Sequence, residues 1–186
     1  DTYFNVGALE SLRQVPAAQA VIVTDAPTEA RGVIDEVRRH LGEMAVHTFT
    51  DVEPAPRAAR IRAGVGVLRS VEPDLLIAVG GGSVLDAAKA MRLFYESPEL
   101  SLRELSLPFL DARKRVAQYP QINHSIRLVA VPTTAGTGSE VSPAAVRTVD
   151  QRKGTLVDYS LVPDMAVVEP KLTLSMPPAM TADTGV

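Results

Sequence analysis

No cysteine occurs in the 186 residues, which excludes disulfides, zinc ribbons, iron–sulfur ligation and thiol nucleophiles together. Tryptophan is also missing and aromatic residues make up only 4%, too few for stacking platforms that bind single-stranded nucleic acid. Neither sign of charge dominates. Nineteen Lys and Arg against 22 Asp and Glu leave a net charge of −3, so no basic field neutralises the phosphates of a duplex. No apolar run approaches the ~18 residues of a membrane span, and no charged-then-apolar leader is present. What is there is 46% hydrophobic and 22% charged, the composition of a globular domain that handles a small molecule. A soluble, cytoplasmic setting is expected, with no nucleic acid and no membrane as partner. Residues 1–186 read as one domain, because no internal repeat or low-complexity linker divides them.

Short β-branched runs alternate with longer helical stretches. Ala20 to Thr24, Met44 to Thr50, Leu75 to Val79, Leu128 to Val131 and Met165 to Val168 predict five strands, apolar nearly throughout as in parallel sheets covered on both faces. Between them, Thr28 to Leu41, Arg57 to Ser70 and Ser83 to Tyr95 predict helices, the first with Thr28 as N-cap and Gly42 just past its end. The third is apolar on most of its circumference and is expected to be buried. The rhythm predicts a doubly wound, mostly parallel Rossmann-like α/β sheet with helices on both faces, its crossovers right-handed. Val141 to Val157 reads as a small hairpin excursion around Asp150-Gln151-Arg152-Lys153-Gly154. The long Ser97 to Asn123 segment carries a basic cluster, Arg113-Lys114-Arg115, read as a solvated helix face.

Two segments carry chemistry. Gly80-Gly81-Gly82-Ser83-Val84-Leu85-Asp86 joins a buried strand to a helix. Glycines let a ligand approach the backbone and tolerate a sharp turn, while the helix's first amides lack internal partners and sit at the positive end of its dipole. That is a site for a pyrophosphate, although neither a G-x-G-x-x-G fingerprint nor a Walker loop is present. Pro132-Thr133-Thr134-Ala135-Gly136-Thr137-Gly138-Ser139-Glu140 follows the fourth strand and offers hydroxyls and amides to the same ligand from the other side. Asp25, ending the first strand, is suited to accept the hydroxyls of an adenosine ribose. At ~5 Å and an effective dielectric of ~20 it opposes each unit of 2′-phosphate charge by about 3 kcal/mol before screening, favouring NAD over NADP. His40, His47 and His124 show no metal-ligand spacing, and no self-contained catalytic constellation stands out.

Together, Gly80-Gly81-Gly82-Ser83 with Asp86 and Lys89, and Pro132 through Val141, resemble the two signature segments of the iron-containing (group III) alcohol dehydrogenases. The resemblance runs from Tyr3-Phe4-Asn5 to Leu174-Ser175-Met176-Pro177-Pro178, and the stretch Met91 to Pro120 is most similar to the alcohol dehydrogenase half of bifunctional aldehyde-alcohol dehydrogenases. It implies the amino-terminal dinucleotide-binding domain of an enzyme that moves a hydride between a primary alcohol or aldehyde and NAD. By the same resemblance Asp25 binds the adenosine ribose, and Gly81, Gly82, Ser83 and Asp86 hold the pyrophosphate and nicotinamide side. Thr133, Thr134 and Thr137 line the cleft, with Ser142 in the same group, and Lys153 reaches the nicotinamide ribose. No residue of this chain is expected to be catalytic or to bind metal.

Iron, or zinc, is expected on an all-helical second domain outside these residues, reached by a connection that starts at about 177–186. The family continues past the segment matching Thr181 to Val186 into an Asp and, four residues on, a His that bind the metal. Without that domain the chain is expected to bind NAD no tighter than about 0.2 mM and to be inactive. The full-length protein is expected to form homo-oligomers. Leu172 to Val186, apolar with little charge, reads as the surface that meets the missing domain. The family's Pro-Asn-Pro element stands here as Pro54-Ala55-Pro56, and Ala55 lacks the side-chain hydrogen bond of Asn. The alternatives are a non-catalytic nucleotide-binding or assembly module, or an enzyme like the glycerol dehydrogenases and dehydroquinate synthases. The complete Thr-Thr-Ala-Gly-Thr-Gly-Ser-Glu segment argues against the last two.

Overall fold

In the computed structural model, residues 1–100, 125–149, 152–174 and 176–184 are described. Six strands form one parallel sheet: β1 (Thr2–Phe4), β2 (Gln19–Val23), β3 (Ala45–Phe49), β4 (Leu75–Gly80), β5 (Arg127–Pro132) and β8 (Met165–Val168), in the order β1-β8-β5-β4-β2-β3. A separate antiparallel hairpin joins β6 (Ala144–Val149) to β7 (Arg152–Val157). The helices are α1 (Ala26–Ala30), α2 (Val33–Arg38), α3 (Ala58–Val71), α4 (Gly82–Glu96) and α5 (Pro178–Thr184). No described helix is long and apolar enough to cross a membrane.

The period-2 alternation of the strands divides their side chains between two cores. Val21, Val23, Leu76, Ala78, Leu128 and Ala130 face α3, α4 and the hairpin. Ala20, Ile22, Leu75, Ile77, Val79, Val129 and Val131 face α2 and a 3-10 turn at Ala8–Gln14. Both faces are covered, which is why these strands are apolar without interruption. Each buried Val, Leu or Ile contributes about 1.5–3 kcal/mol relative to exposure.

The strand order positions the site. The chain runs outward from β2 to β3, then returns to place β4 on the other side of β2. Where the direction of winding reverses, the connections leave β2 and β4 toward opposite faces. A crevice opens between their carboxyl ends.

Three predicted features differ. The single helix Thr28 to Leu41 is two short helices separated by Arg31 and Gly32, with Gly32 in the left-handed region at φ 74°. That conformation, open to glycine, breaks the helical path. The N-cap is Asp25, not Thr28: its Oδ1 accepts from the Thr28 amide at 2.8 Å. Of the apolar carboxy-terminal stretch, Leu172 and Met176 are buried within this chain while Leu174 is exposed, so only part of it is open to a second domain. The Arg113-Lys114-Arg115 cluster and His124 lie outside the described residues.

A cleft at the carboxyl ends of the strands

The β4–α4 connection starts the site. Gly81 has φ −76°, and Gly82 opens α4 without a positive φ. Contrary to the expectation of a sharp turn, neither conformation demands glycine; the space does. A Cβ on Gly81 would lie 3.3 Å from Thr134 Cγ2, and one on Gly82 would lie 3.1 Å from Thr137 Cγ2. Both hypothetical methyls point at the threonine loop after β5, so the bare backbone keeps open the gap between the two loops. Gly80 serves packing instead: its Cβ would meet Val84 Cγ2 at 2.6 Å.

The gap widens into a cleft of about 740 Å³, within the usual range of small-molecule sites. The 15-residue α4 points its N-terminus and its unpaired first amides toward this space. One wall is Gly81, Gly82, Ser83 and Asp86; opposite stand Thr133, Thr134, Thr137 and Ser139. Asp25, Thr28 and Arg31 form the far end, and Val52 to Pro56 run along the rim. Thr133 Oγ1, Thr134 Oγ1 and Asp86 Oδ1 are buried without a hydrogen-bonding partner in the protein. Such atoms are rare in folded interiors because each forfeits its hydration. Three on one cleft are donors and acceptors suited to a polar ligand.

Asp86 and Lys89 tie this wall to the hairpin. Asp86 Oδ2 accepts from the Val146 amide at 2.9 Å. Lys89, with no exposed surface, donates to the carbonyls of Ser142 and Ala144, each at 2.9 Å, and to Ser142 Oγ at 3.3 Å. Burial raises the carboxyl pKa of Asp86, with the Val146 amide, Lys89 and the Ser139 hydroxyl pulling the other way. Burial lowers Lys89 from its ordinary 10.5 to about 8, opposed by the attraction of Asp86 and Glu140, while Arg92 adds to the lowering. Arg92, one turn further and also wholly enclosed, donates to Asp164 Oδ2 at 2.7 Å and to the carbonyls of Ser160 and Val162.

The rim loop is strained. Ala55 has φ 51°, a left-handed conformation unfavourable for a residue with a Cβ. Its amide donates to Ser83 Oγ at 3.4 Å, and the Pro56 carbonyl accepts from the Thr148 amide at 2.9 Å. The loop thus bridges the glycine turn and the hairpin through its backbone, with no side chain from Ala55.

Of the residues singled out in sequence, Asp25, Gly81, Gly82, Ser83, Asp86, Thr133, Thr134 and Thr137 line one cleft. Ser142 does not line it; its hydroxyl and carbonyl are held by Lys89. Lys153 lies on β7 opposite Thr148, and the position of its side chain is outside the described residues. Arg31, Ser139 and Thr184 line the cleft without having been assigned a role from sequence. Arg31 lies within the stretch expected to be one continuous helix, and Thr184 comes from α5, far along the chain from both loops. Among the described residues, no three His, Asp or Glu side chains converge as a metal site.

The family model for iron-containing alcohol dehydrogenases matches residues 1–170. An aldehyde-alcohol dehydrogenase of Streptococcus pneumoniae is 40% identical over 192 aligned positions, covering 100% of this chain and 22% of that protein. An iron-containing alcohol dehydrogenase from Thermococcus thioreducens superimposes with a TM-score of 0.90 at 29% identity, over 99% of this chain and 49% of its own. A sulfoacetaldehyde reductase from Bifidobacterium kashiwanohense, solved in complex with NAD+, superimposes with a TM-score of 0.82 at 27% identity, over 98% of this chain and 48% of its own. The chain therefore spans about a fifth of the curated relative and about half of each solved structure.

Proposed function

Because the chain belongs to the iron-containing alcohol dehydrogenase family, we propose that residues 1–186 are its dinucleotide-binding domain, in a protein that transfers a hydride between a primary alcohol or aldehyde and NAD(H). The observation that carries this reading is one cleft in which a pair of bare glycines faces the threonine loop and three polar atoms, Thr133 Oγ1, Thr134 Oγ1 and Asp86 Oδ1, are buried without a partner. The α4 N-terminus and the amides of Gly82 and Ser83 would hold the pyrophosphate, and Thr133, Thr134 and Thr137 would complete its cradle. Asp25 keeps Oδ2 for a ribose after giving Oδ1 to the Thr28 amide. Asp86 presents Oδ1 toward the nicotinamide side. Ser142 acts behind the wall, as an anchor for Lys89, and Lys153 is assigned to the nicotinamide ribose on resemblance alone.

The bound dinucleotide supplies the hydride-accepting ring. A divalent metal, iron or zinc, would be held by residues beyond this chain on a helical domain, there to act as a Lewis acid on the substrate oxygen. The chain's own contribution is to bind, orient and enclose the nucleotide, and alone it is inactive. The protein is cytoplasmic and homo-oligomeric on this reading.

The test is calorimetric titration of the full-length protein with NADH, beside Gly82→Val. The backbone of Gly82 is open to other residues, but a valine side chain presses on Thr137 and Ser139 and fills the gap between the two loops. Affinity should fall at least about 30-fold, that is by about 2 kcal/mol, at a temperature where both proteins are shown to be folded by circular dichroism. Equal NADH affinity in the two proteins would rule the cleft out as the site.

A further inference from the structure

The adenosine end of the cleft carries a charge that the proposed function does not use. Arg31 follows α1 and lines the same wall as Asp25. Its Nη2 donates to Thr28 Oγ1 at 3.0 Å, and the Thr28 amide donates to Asp25 Oδ1 at 2.8 Å. Thr28 is only 1% exposed, so a fixed residue couples the two charges. Arg31 takes part in none of the ion pairs among the described residues. Glu53, the other acid along this rim, faces Arg57 at 3.4 Å, and Asp86 lies at the opposite end, bound to the hairpin.

A guanidinium held at one end by a hydroxyl and open at the other presents its remaining donors to a phosphate in forked geometry. Asp25 meanwhile accepts ribose hydroxyls and repels a phosphate esterified to one of them. We infer that Arg31 is a latent counter-charge for a ribose 2′-phosphate, so that Asp25 alone excludes the 2′-phosphorylated dinucleotide and its removal admits one. The inference rests on the reading of this cleft as a dinucleotide site. Specificity here is a difference between an attraction already present and a repulsion laid over it.

The experiment uses two probes of the adenosine end, ADP and 2′,5′-ADP, titrated into the full-length protein and its Asp25→Ser, Arg31→Gln and double variants. Serine still caps a helix, so α1 keeps its start, and Arg31 is an exposed residue whose loss leaves the core alone. The starting protein should prefer ADP. Asp25→Ser should tighten 2′,5′-ADP about tenfold by removing the repulsion, and adding Arg31→Gln should cancel about fivefold of that gain while ADP affinity holds. Raising the salt concentration should shrink the difference in 2′,5′-ADP affinity between Asp25→Ser and the double variant. A double variant that keeps the full gain overturns the inference and leaves the proposed function standing. Failure of all four proteins to bind ADP or NADH overturns both.

Discussion

The α4 wall of the cleft and its far end, the α1 wall, are built from unlike material. The α4 wall is a 15-residue helix buried from Val84 through Phe94, enclosed by the sheet on one side and the hairpin and Leu161 segment on the other. Two cations, Lys89 and Arg92, are sealed inside it and held by backbone carbonyls and Asp164. The α1 wall is a five-residue helix ended by Gly32, with Thr28 its only buried residue and Arg31 in solvent. On the first wall, binding groups and fold share the same side chains. On the second they are separable, so the end of the cleft that would meet a ribose can change its charge at little cost to the fold.

The largest test of that contrast is Arg92→Ala. It leaves Asp164 and two carbonyls without their cation and should destabilise the protein by about 3 kcal/mol or more, whereas Arg31→Gln should cost less than about 0.5 kcal/mol. Urea denaturation of both variants measures the difference. Similar losses would mean that the two walls do not differ in kind.

Next in size is a pH effect confined to the buried wall. The folded-state pKa of Lys89 is lowered to about 8 from an ordinary 10.5. Below pH 8 the amine is charged in both states and its contribution is constant. Between pH 8 and 10.5 the unfolded chain binds the proton and the native chain does not, so this group makes stability rise with pH, by about 3 kcal/mol in all. The rise should appear as the difference between the starting protein and Lys89→Met in urea denaturation at pH 7.5 and pH 10. A pH-independent difference would remove Lys89 from the account.

The smallest effect concerns the rim between the walls. Ala55→Gly relieves a left-handed φ and should raise stability by about 0.5–1 kcal/mol in thermal unfolding. The contact to Ser83 persists because the backbone amide makes it. A loss of stability would show that the Ala55 methyl contributes packing that outweighs the strain.

Much of this fold is legible in sequence because its signals are local. Continuous apolar runs mark β2, β4 and β5, and the run of glycines marks the end of β4. The three-residue β1 is too short to show a period, and it becomes a strand only by pairing with β8. The break at Gly32 escapes notice because an isolated glycine is tolerated in a helix; in the structure it takes a positive φ just before α2, which buries Val33, Ile34 and Val37. Asp25 reads in sequence as a ribose-facing acid; in the structure one of its carboxylate oxygens caps α1, and the residue also lines the cleft. Ser142 sat among the cleft residues by its place in the chain, yet the hairpin turns it toward Lys89.

The sequence by itself determined the parallel α/β class, the two loops that meet at the cleft and the family, because apolar period, glycine and hydroxyl placement are properties of short stretches. Only the tertiary structure decided that Lys89 and Arg92 lie inside, that Gly81 and Gly82 are needed for space rather than for a turn, and that Arg31 shares a wall with Asp25. Each of those depends on what a distant segment places opposite: the hairpin, the threonine loop and the reversal of strand order between β2 and β4. Burial and proximity arise between segments, and no local pattern carries them.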